Sequence, residues 1–265
     1  MESISTPPAT EHVDVNGVPC RIWRKGSGRP LAFLAGHGGL PKWPAFLDRL
    51  AETHEVIAPS IPGYPGGLGH TKLFSHLDWV LAVRDLLNGC GLEDGDTLLA
   101  GSGPGASFAL EVAALWPHKV GRLALIAPWG LFDEAEPMTD PWAQRLPELP
   151  GMLCADPENW NALKAAPEGV NSIEWPIEQT RALEASARAF WPLGNSGLER
   201  RLGRVRAPTL LLWGAEDRIL PCSYGERIAA GLGGPARLEI INGAGHLAEL
   251  DKPAKVAEAV AAFFA

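Results

Sequence analysis

Six short, mainly apolar runs are spaced along the chain, and most are followed by apolar residues at helical intervals. A run of this kind is typical of a parallel strand buried on both faces. Ahead of them, residues 13–24 form two extended runs around Asn16-Gly17, a dipeptide that favours a β-hairpin. Repeated strand–helix units after a two-stranded start predict an α/β fold with a doubly wound, mostly parallel sheet. The six runs are residues 30–36, 55–60, 97–101, 122–128, 208–214 and 236–241.

The alternation stops at residues 129–204, where proline, tryptophan and short helical segments replace it. We interpret this stretch as a helical cap inserted after one strand of the sheet. The predicted core domain is therefore formed by residues 1–128 and 205–265. Ligands of such sheets bind beyond the carboxyl ends of the strands, so the residues that follow each strand are the first candidates for chemistry.

Composition narrows the classes of partner. The chain has 265 residues, 46% of them hydrophobic and 20% charged, which suits a globular protein with a core of ordinary size. The net charge of −8 comes without a run of lysine and arginine, so we expect no nucleic-acid partner. We see no signal peptide and no run long enough to span a membrane, and the four cysteines are scattered. We therefore expect a cytoplasmic protein that acts on a small molecule, without a membrane partner, and leave its oligomeric state open.

Two predicted strands end in loops that carry a histidine and an aspartate. His246 lies in "GAGHLAELDKP", after the last strand, and Asp217 lies in "WGAEDRILP", after the strand before it. Each residue taken alone is more often a surface or capping residue. Together, at two successive strand ends, they indicate a carboxylate that orients an imidazole ring.

In these segments the chain resembles the α/β-hydrolase fold superfamily, and the resemblance covers nearly its whole length. The loop "AGHGGLPKW" at residues 35–43 is similar to that of the capped bacterial branch of the superfamily. The resemblance implies an α/β-hydrolase fold with an inserted cap, with Asp217 as the acid and His246 as the general base. We expect neither a cofactor nor a metal site.

The position of the superfamily's nucleophile departs from the pattern. Members carry G-x-S-x-G between a strand and a helix, and "LLAGSGPGASFALEVAALWP" at residues 98–117 aligns with it without gaps. The two glycines of the motif then fall on Gly101 and Gly105, and Gly103 takes the place of the nucleophilic serine. A shifted alignment makes Ser102 the nucleophile, but it puts a proline at a position that needs a small residue. We favour the first alignment.

Pro104 removes a second element of serine chemistry. The residue after the nucleophile gives a backbone N–H to the oxyanion, and proline has none. In the other oxyanion loop, Ala35-Gly36 replaces the His-Gly pair of the family, and His37 follows, just before Gly38. His37 occupies the position that commonly gives the remaining oxyanion N–H. It is a candidate second acid or base, and a loop histidine bonded to the backbone is the alternative.

Aromatic side chains favour an apolar or aromatic ligand. Five tryptophans lie at the entrance to the predicted cap or within it, and Tyr64 lies in a loop after another strand. We predict that these side chains line a substrate pocket, and the alternative is that the tryptophans form the cap's own core. The five are Trp129, Trp142, Trp160, Trp175 and Trp191.

The sequence leaves three functions open. The main hypothesis is an enzyme that acts on a small apolar or aromatic carbonyl compound through the His246–Asp217 pair, without a covalent serine. Its reaction is either water-mediated hydrolysis or a lyase- or isomerase-type step. The second is a non-catalytic member of the fold that binds a ligand. The third is an ordinary serine hydrolase, either through Ser102 or because Gly103 replaces the serine of the natural chain.

Overall fold

The computed structural model describes residues 8–92, 94–167 and 169–265. Residues 1–7, on which the expectation of a missing signal peptide partly rests, lie outside the described residues. The strands of the described part are β1 (Ala9–Val15), β2 (Val18–Lys25), β3 (Arg29–Leu34), β4 (His54–Pro59), β5 (Thr97–Ser102), β6 (Val120–Ile126), β7 (Thr209–Gly214) and β8 (Ala236–Ile241). They form one eight-stranded sheet in the order β1-β2-β4-β3-β5-β6-β7-β8.

The chain enters this sheet through the predicted hairpin. β1 and β2 pair antiparallel, and Asn16 and Gly17 take the positive φ angles of 56° and 78° that their tight turn requires. β2 also pairs antiparallel with β4, whereas all pairings among β3 to β8 are parallel. The predicted doubly wound, mostly parallel sheet is confirmed.

Nine α-helices are found in the part of the chain that the structure describes. They are α1 (Ala45–Leu50), α2 (His76–Gly89), α3 (Gly103–Leu115), α4 (Leu149–Leu153), α5 (Pro157–Lys164), α6 (Glu174–Phe190), α7 (Ser223–Gly231), α8 (Ala248–Asp251) and α9 (Pro253–Phe264). Short 3-10 helices lie at His70–Lys72, Leu198–Arg200 and Leu202–Arg204. None of the described helices has the length and apolarity needed to cross a membrane.

Side chains alternate between the two faces of the sheet, so one strand supplies two hydrophobic cores. On β5, Leu99 belongs to the cluster that includes α2 and α3, while Leu98 and Ala100 belong to the cluster that includes α1 and α9. Helix α3 is buried from its first residue through most of its length. The turn that opens α3 is therefore held firmly against the centre of the sheet.

The strand order reverses beside β3. β4 lies on one side of β3, and β5 to β8 follow on the other. The loop at residues 35–43 follows β3, and the turn into α3 follows β5, so both lie at the edge where open α/β sheets bind ligands. Residues 129–204 run between β6 and β7 and contain α4, α5 and α6 in their described part. The division into core and cap stays a prediction.

Candidate active site

The turn between β5 and α3 has Gly103 at its apex. Its backbone φ is +45°, in the left-handed region that glycine adopts most easily. A Cβ at Gly101 would lie 2.8 Å from the backbone nitrogen of Ala106, and one at Gly105 would clash with the carbonyl oxygen of Leu34. Close backbone approach therefore requires both flanking glycines, as in the alignment that puts Gly103 at the nucleophile position.

The apex faces the predicted base. A Cβ at Gly103 would lie 3.2 Å from Nε2 of His246 and 3.7 Å from Nε1 of Trp129. The next residue, Pro104, lies in the first turn of α3, where a residue without an N–H is well tolerated. The turn thus has the shape that presents a nucleophile. It carries neither a hydroxyl at the apex nor a backbone oxyanion donor after it.

Ser102 points away from this arrangement. Its side chain is fully buried, and a Cβ at Gly36 would lie 3.0 Å from its Oγ. The hydroxyl faces the carboxyl group of Glu249, whereas both ring nitrogens of His246 are hydrogen-bonded to other residues. No hydrogen bond joins Ser102 to His246, although a nucleophile and its base need one.

His246 and Asp217 meet beyond the carboxyl ends of β8 and β7. Nδ1 of His246 lies 2.8 Å from Oδ2 of Asp217, and both side chains are fully buried. The other carboxylate oxygen accepts two backbone N–H groups of its own turn, at 2.8 and 2.9 Å. The backbone N–H of Glu216 donates to the carbonyl oxygen of Ala244 at 2.9 Å and ties the two loops together. The fixed carboxylate favours the imidazole tautomer with its proton on Nδ1.

Trp129 occupies the other ring nitrogen of His246. Its indole Nε1 donates to Nε2 across 2.9 Å. The backbone N–H of Trp129 donates to Oγ of Ser107 at 2.6 Å, and that hydroxyl donates to the carbonyl oxygen of Gly103 at 3.0 Å. Trp129 is thus hydrogen-bonded to His246 and, through Ser107, to the turn between β5 and α3, which we call the elbow. The sequence placed it in a pocket wall and gave no sign of this bond.

His37 lies within a box of three indole rings. The ring centroids of Trp129, Trp142 and Trp160 lie 5.8–6.2 Å from that of His37. The imidazole is 2% exposed, and neither ring nitrogen has a hydrogen-bond partner among the described residues. Burial, followed by the charge of Lys164, lowers the pKa of His37 to about 3. The ring is therefore neutral near pH 7 and offers one N–H donor and one lone pair.

Lys164, the last residue of α5, reaches into the loop after β3. Its Nζ donates to the carbonyl oxygens of Gly38 at 2.8 Å and Gly39 at 3.2 Å, and lies 4.6 Å from the ring centroid of Trp160. Burial lowers the pKa of Lys164 to about 7, although the charge of Glu178 acts in the opposite direction. The sequence analysis missed this residue, because a single lysine at a helix end belongs to no motif.

The other predicted pocket residues take supporting or outlying places. The indole N–H of Trp175 donates to the carbonyl oxygen of Lys164 at 2.8 Å and so fixes the backbone at the end of α5. Tyr64 is buried against Gly39, and a Cβ at that glycine would lie 2.8 Å from the tyrosine side chain. Trp191 is 61% exposed and lies at the surface of the predicted cap.

Two cavities open beside Trp191. One, of about 270 Å³, has Trp129 and Phe190 in its wall, and the other, of about 610 Å³, has Trp142 in its wall. Trp191 and Arg188 border both cavities. Trp129 therefore borders the smaller cavity and is also hydrogen-bonded to His246.

The arrangement is suited to proton transfer. An imidazole oriented by a buried carboxylate lies near a second, neutral imidazole and an ammonium group, all beside aromatic rings. Across the three described ranges, no cluster of three or more histidine, cysteine, aspartate or glutamate side chains is placed to hold a metal ion.

Behind the elbow, Glu249 is a buried carboxyl group that the sequence analysis did not single out. It lies in α8, and its Oε2 has no hydrogen-bond partner in the part of the chain that the structure describes. Burial raises the pKa of Glu249 from 4.5 to about 7, although the hydroxyl of Ser102 and the imidazole of His246 oppose the shift. Between these two pH values the folded chain holds a proton that the unfolded chain has released. The free energy of unfolding therefore falls as the pH rises from about 4.5 to about 7.

We expect Glu249→Gln to remove this dependence, because the amide fills the same space and does not ionise. At pH 8 the variant should be more stable than the native chain by about 1–3 kcal/mol, and near pH 4 the gain should vanish. Urea unfolding at the two pH values measures the difference. Glu258→Gln, at an exposed position of α9, is the matched control and should show no such gain. An equal gain at both pH values for Glu249→Gln would contradict the ionisation argument.

Known proteins similar to this chain were found by sequence and by structure. Residues 31–259 match the model of the alpha/beta hydrolase family. The 2-hydroxy-6-oxo-6-phenylhexa-2,4-dienoate hydrolase of Comamonas testosteroni is 28% identical over 193 residues, which cover 64% of this chain. That alignment spans 63% of the relative, which is less than two thirds of its length. The 2-hydroxymuconate semialdehyde hydrolase of Pseudomonas sp. (strain CF600) is 24% identical over 98% of this chain and 95% of its own length.

Among solved structures, the 2-hydroxy-6-oxo-6-phenylhexa-2,4-dienoate hydrolase of Rhodococcus sp. strain RHA1 has the same fold. Its TM-score is 0.77 with 20% identity, and the match covers 98% of this chain and 99% of that one. The sheet, the order of its strands and the match over residues 31–259 agree with one another. The chain therefore belongs to the alpha/beta hydrolase family.

Proposed function

We propose that this protein is an enzyme that acts on a small aromatic carbonyl compound through His246 as general base, without a covalent serine. The observation that carries the proposal is the buried His246–Asp217 pair, whose Nε2 faces an elbow apex without a side chain. In this arrangement Asp217 holds the ring and stabilises the imidazolium that forms. The proton taken by Nε2 comes from water or from the substrate.

Gly103 supports a reaction without an acyl-enzyme. Because Gly103 has no side chain, the attacking oxygen in hydrolysis must come from a water molecule that reaches Nε2 of His246. In hydrolysis, Nε2 takes a proton from that water, the water oxygen bonds to the carbonyl carbon, and the C=O electron pair moves onto the carbonyl oxygen. The intermediate then expels its leaving group, which receives the proton from Nε2. Abstraction of a substrate proton, in a lyase- or isomerase-type step, uses the same nitrogen.

The surrounding rings and the relatives support an aromatic substrate. Trp129, Trp142 and Trp160 enclose His37 beside the dyad. The Comamonas relative is named for a phenyl-substituted oxo-dienoate, a carbonyl compound of this class. His37, the other candidate acid or base, is neutral and has no hydrogen-bond partner among the described residues, so we assign it a hydrogen bond to the reacting carbonyl compound, because its pKa of about 3 disfavours proton transfer near pH 7.

The test uses 2-hydroxy-6-oxo-6-phenylhexa-2,4-dienoate as the probe substrate, with its consumption followed by chromatography. We expect His246→Ala to lower kcat/KM by about 10²- to 10⁴-fold, because it removes the general base. His118→Ala, at an exposed position away from the site, is the matched control and should leave turnover unchanged. Equal turnover by the native chain and by His246→Ala would overturn the proposal.

A second function, ligand binding without chemistry, is favoured by one observation. The bond from Trp129 to Nε2 of His246 occupies the base in the structure. Calorimetry with the same probe, followed by chromatography of the recovered ligand, separates the two functions. Tight binding with complete recovery of unchanged probe supports a binding protein, and conversion of the probe supports the enzyme.

A further inference from the structure

We propose that the indole N–H of Trp129 is the hydrogen-bond donor that stabilises the reacting oxygen, in place of the backbone N–H that Pro104 lacks. The inference rests on the proposed function, because it needs His246 to act as the base. It gives Trp129 a catalytic role, since its N–H would touch the substrate. The substrate oxygen it serves is one that gains negative charge as Nε2 gains a proton.

The first argument is position. Nε1 of Trp129 would lie 3.7 Å from a Cβ at Gly103 and is 2.9 Å from Nε2 of His246. A carbonyl group attacked at this apex therefore has the indole N–H beside it. The backbone donor expected after the apex is absent at Pro104, so an oxygen bound here needs a donor from elsewhere.

The second argument is hydrogen-bond polarity. In the structure Nε2 of His246 is an acceptor, and the indole N–H of Trp129 is its donor. Once Nε2 takes a proton it becomes an N–H group, and two donors then face each other across 2.9 Å. Because Nε2 has a single lone pair, the indole must release it before the proton can arrive, and it then needs another acceptor. The oxygen that becomes negative in the same step is the acceptor created for it, so proton transfer and oxyanion stabilisation are linked.

The third argument is rigidity. Trp129 is buried, and its backbone N–H donates to Ser107, which in turn bonds to the elbow. Its indole packs edge-on against Trp142 and Phe190, with ring centroids 5.6 and 5.5 Å away. A donor held in place before the reaction stabilises charge without reorganisation. The cavity of about 270 Å³ has Trp129 in its wall, so a ligand bound there would lie beside this side chain.

Two probes of similar shape test the inference. 4-Nitrophenol can pass its O–H proton to Nε2 of His246, which leaves a phenolate oxygen to accept the indole N–H, whereas nitrobenzene has no such oxygen. Binding is measured by calorimetry, and ionisation of bound nitrophenol by its visible absorbance, at a pH below the pKa of free 4-nitrophenol so that the unbound probe stays neutral. For Trp129→Phe we expect about 10- to 100-fold weaker binding of 4-nitrophenol and little change for nitrobenzene. Retained nitrobenzene binding shows that the pocket is intact.

Trp213→Phe is the matched control. It removes another buried indole, whose N–H donates at the same 2.9 Å, but to the carbonyl oxygen of Leu220. It should leave the preference for 4-nitrophenol over nitrobenzene unchanged. A second measurement needs no variant: the N–H signal of Trp129 in nuclear magnetic resonance should shift when 4-nitrophenol is added to the native protein, but not with nitrobenzene.

The outcomes separate this inference from the proposed function. The inference is wrong if Trp129→Phe still prefers 4-nitrophenol over nitrobenzene and the N–H signal of Trp129 does not shift. In that case, loss of nitrophenol ionisation in His246→Ala would still support His246 as the base. If His246→Ala still ionises the bound phenol, the proposed function itself is wrong. Loss of the preference in Trp129→Phe and a shifted indole signal together support the inference.

Discussion

Gly103→Ser is expected to make the elbow reactive toward a fluorophosphonate probe that leaves the native chain unlabelled. A Cβ at this position would lie 3.2 Å from Nε2 of His246, so the new hydroxyl can displace the indole of Trp129 and donate to the base. The positive φ of +45° at the apex strains a side chain by about 1–3 kcal/mol. The packing of the buried helix α3 holds the turn in place against this strain.

The same variant should still react slowly, because Pro104 leaves the oxyanion without its backbone donor. Gly103→Ser combined with Pro104→Ala restores that N–H, and we expect labelling to be about 10²- to 10³-fold faster than in the single variant. The rate of probe incorporation, read by mass spectrometry of peptides that contain residue 103, measures the effect. Gly103→Ala introduces the same backbone strain without a hydroxyl and should remain unlabelled.

Two results would contradict this account. Labelling of the native chain at Ser102 would make it an ordinary serine hydrolase, in spite of the buried position of that hydroxyl beside Glu249. Equal rates for the single and the double variant would mean that the missing backbone donor does not limit the chemistry of the elbow.

Arg201→Met is expected to destabilise the protein by about 3–5 kcal/mol, the largest loss of stability that we expect from a single substitution. Arg201 donates from Nε and Nη2 to the two carboxylate oxygens of Glu111, at 2.8 and 2.5 Å. Glu111 lies on α3 and is almost completely buried, with His76 at 3.3 Å. Removal of the guanidinium leaves a buried carboxylate whose one remaining side-chain partner, within the described ranges, is His76.

The loss should depend on pH with a defined sign. Burial by itself would raise the pKa of Glu111, but the hydrogen bonds and charges of His76 and Arg201 outweigh it and hold that pKa below its ordinary value of 4.5. A lowered carboxyl pKa contributes stability above the ordinary pKa, and this contribution is lost as the pH falls through the folded value. The deficit of Arg201→Met should therefore be full at pH 7 and shrink as the pH falls toward the lowered pKa of Glu111.

Urea unfolding of native and variant chains at pH 7 and pH 4 measures this deficit. Arg200→Met changes the neighbouring, exposed arginine and should alter stability by less than about 0.5 kcal/mol. Glu111→Gln in the Arg201→Met background should recover part of the loss, because it removes the isolated charge. A deficit below about 1 kcal/mol at pH 7 would show that Glu111 finds other partners.

Local patterns predicted the backbone of this protein well. Apolar runs located the strands, and the spacing of Gly101 and Gly105 located the elbow, because both depend on residues close together in sequence. The loops that carry Asp217 and His246 follow from the same strands. Since parallel strands end at one edge of a sheet, the approach of these two residues could be expected.

Side-chain partners far apart in sequence could not be predicted. Trp129 and His246 are 117 residues apart, and their hydrogen bond depends on how an indole packs against Ser107 and the elbow. Lys164 lies 126 residues from Gly38, and only the docking of α5 brings them together. Composition showed that the chain is rich in tryptophan, but it could not separate the buried Trp129 from an exposed one such as Trp191.

The tie between the loops of Asp217 and His246 has a consequence for the history of such a protein. The backbone bond from Glu216 to Ala244 joins these two loops directly, without passing through the turn at Gly103. The pairing of these two loops therefore does not depend on which residue stands at the apex, although Trp129 still links His246 to the turn. A lineage can exchange residue 103 while this backbone bond is kept, so the apex can vary by replacement of a single residue.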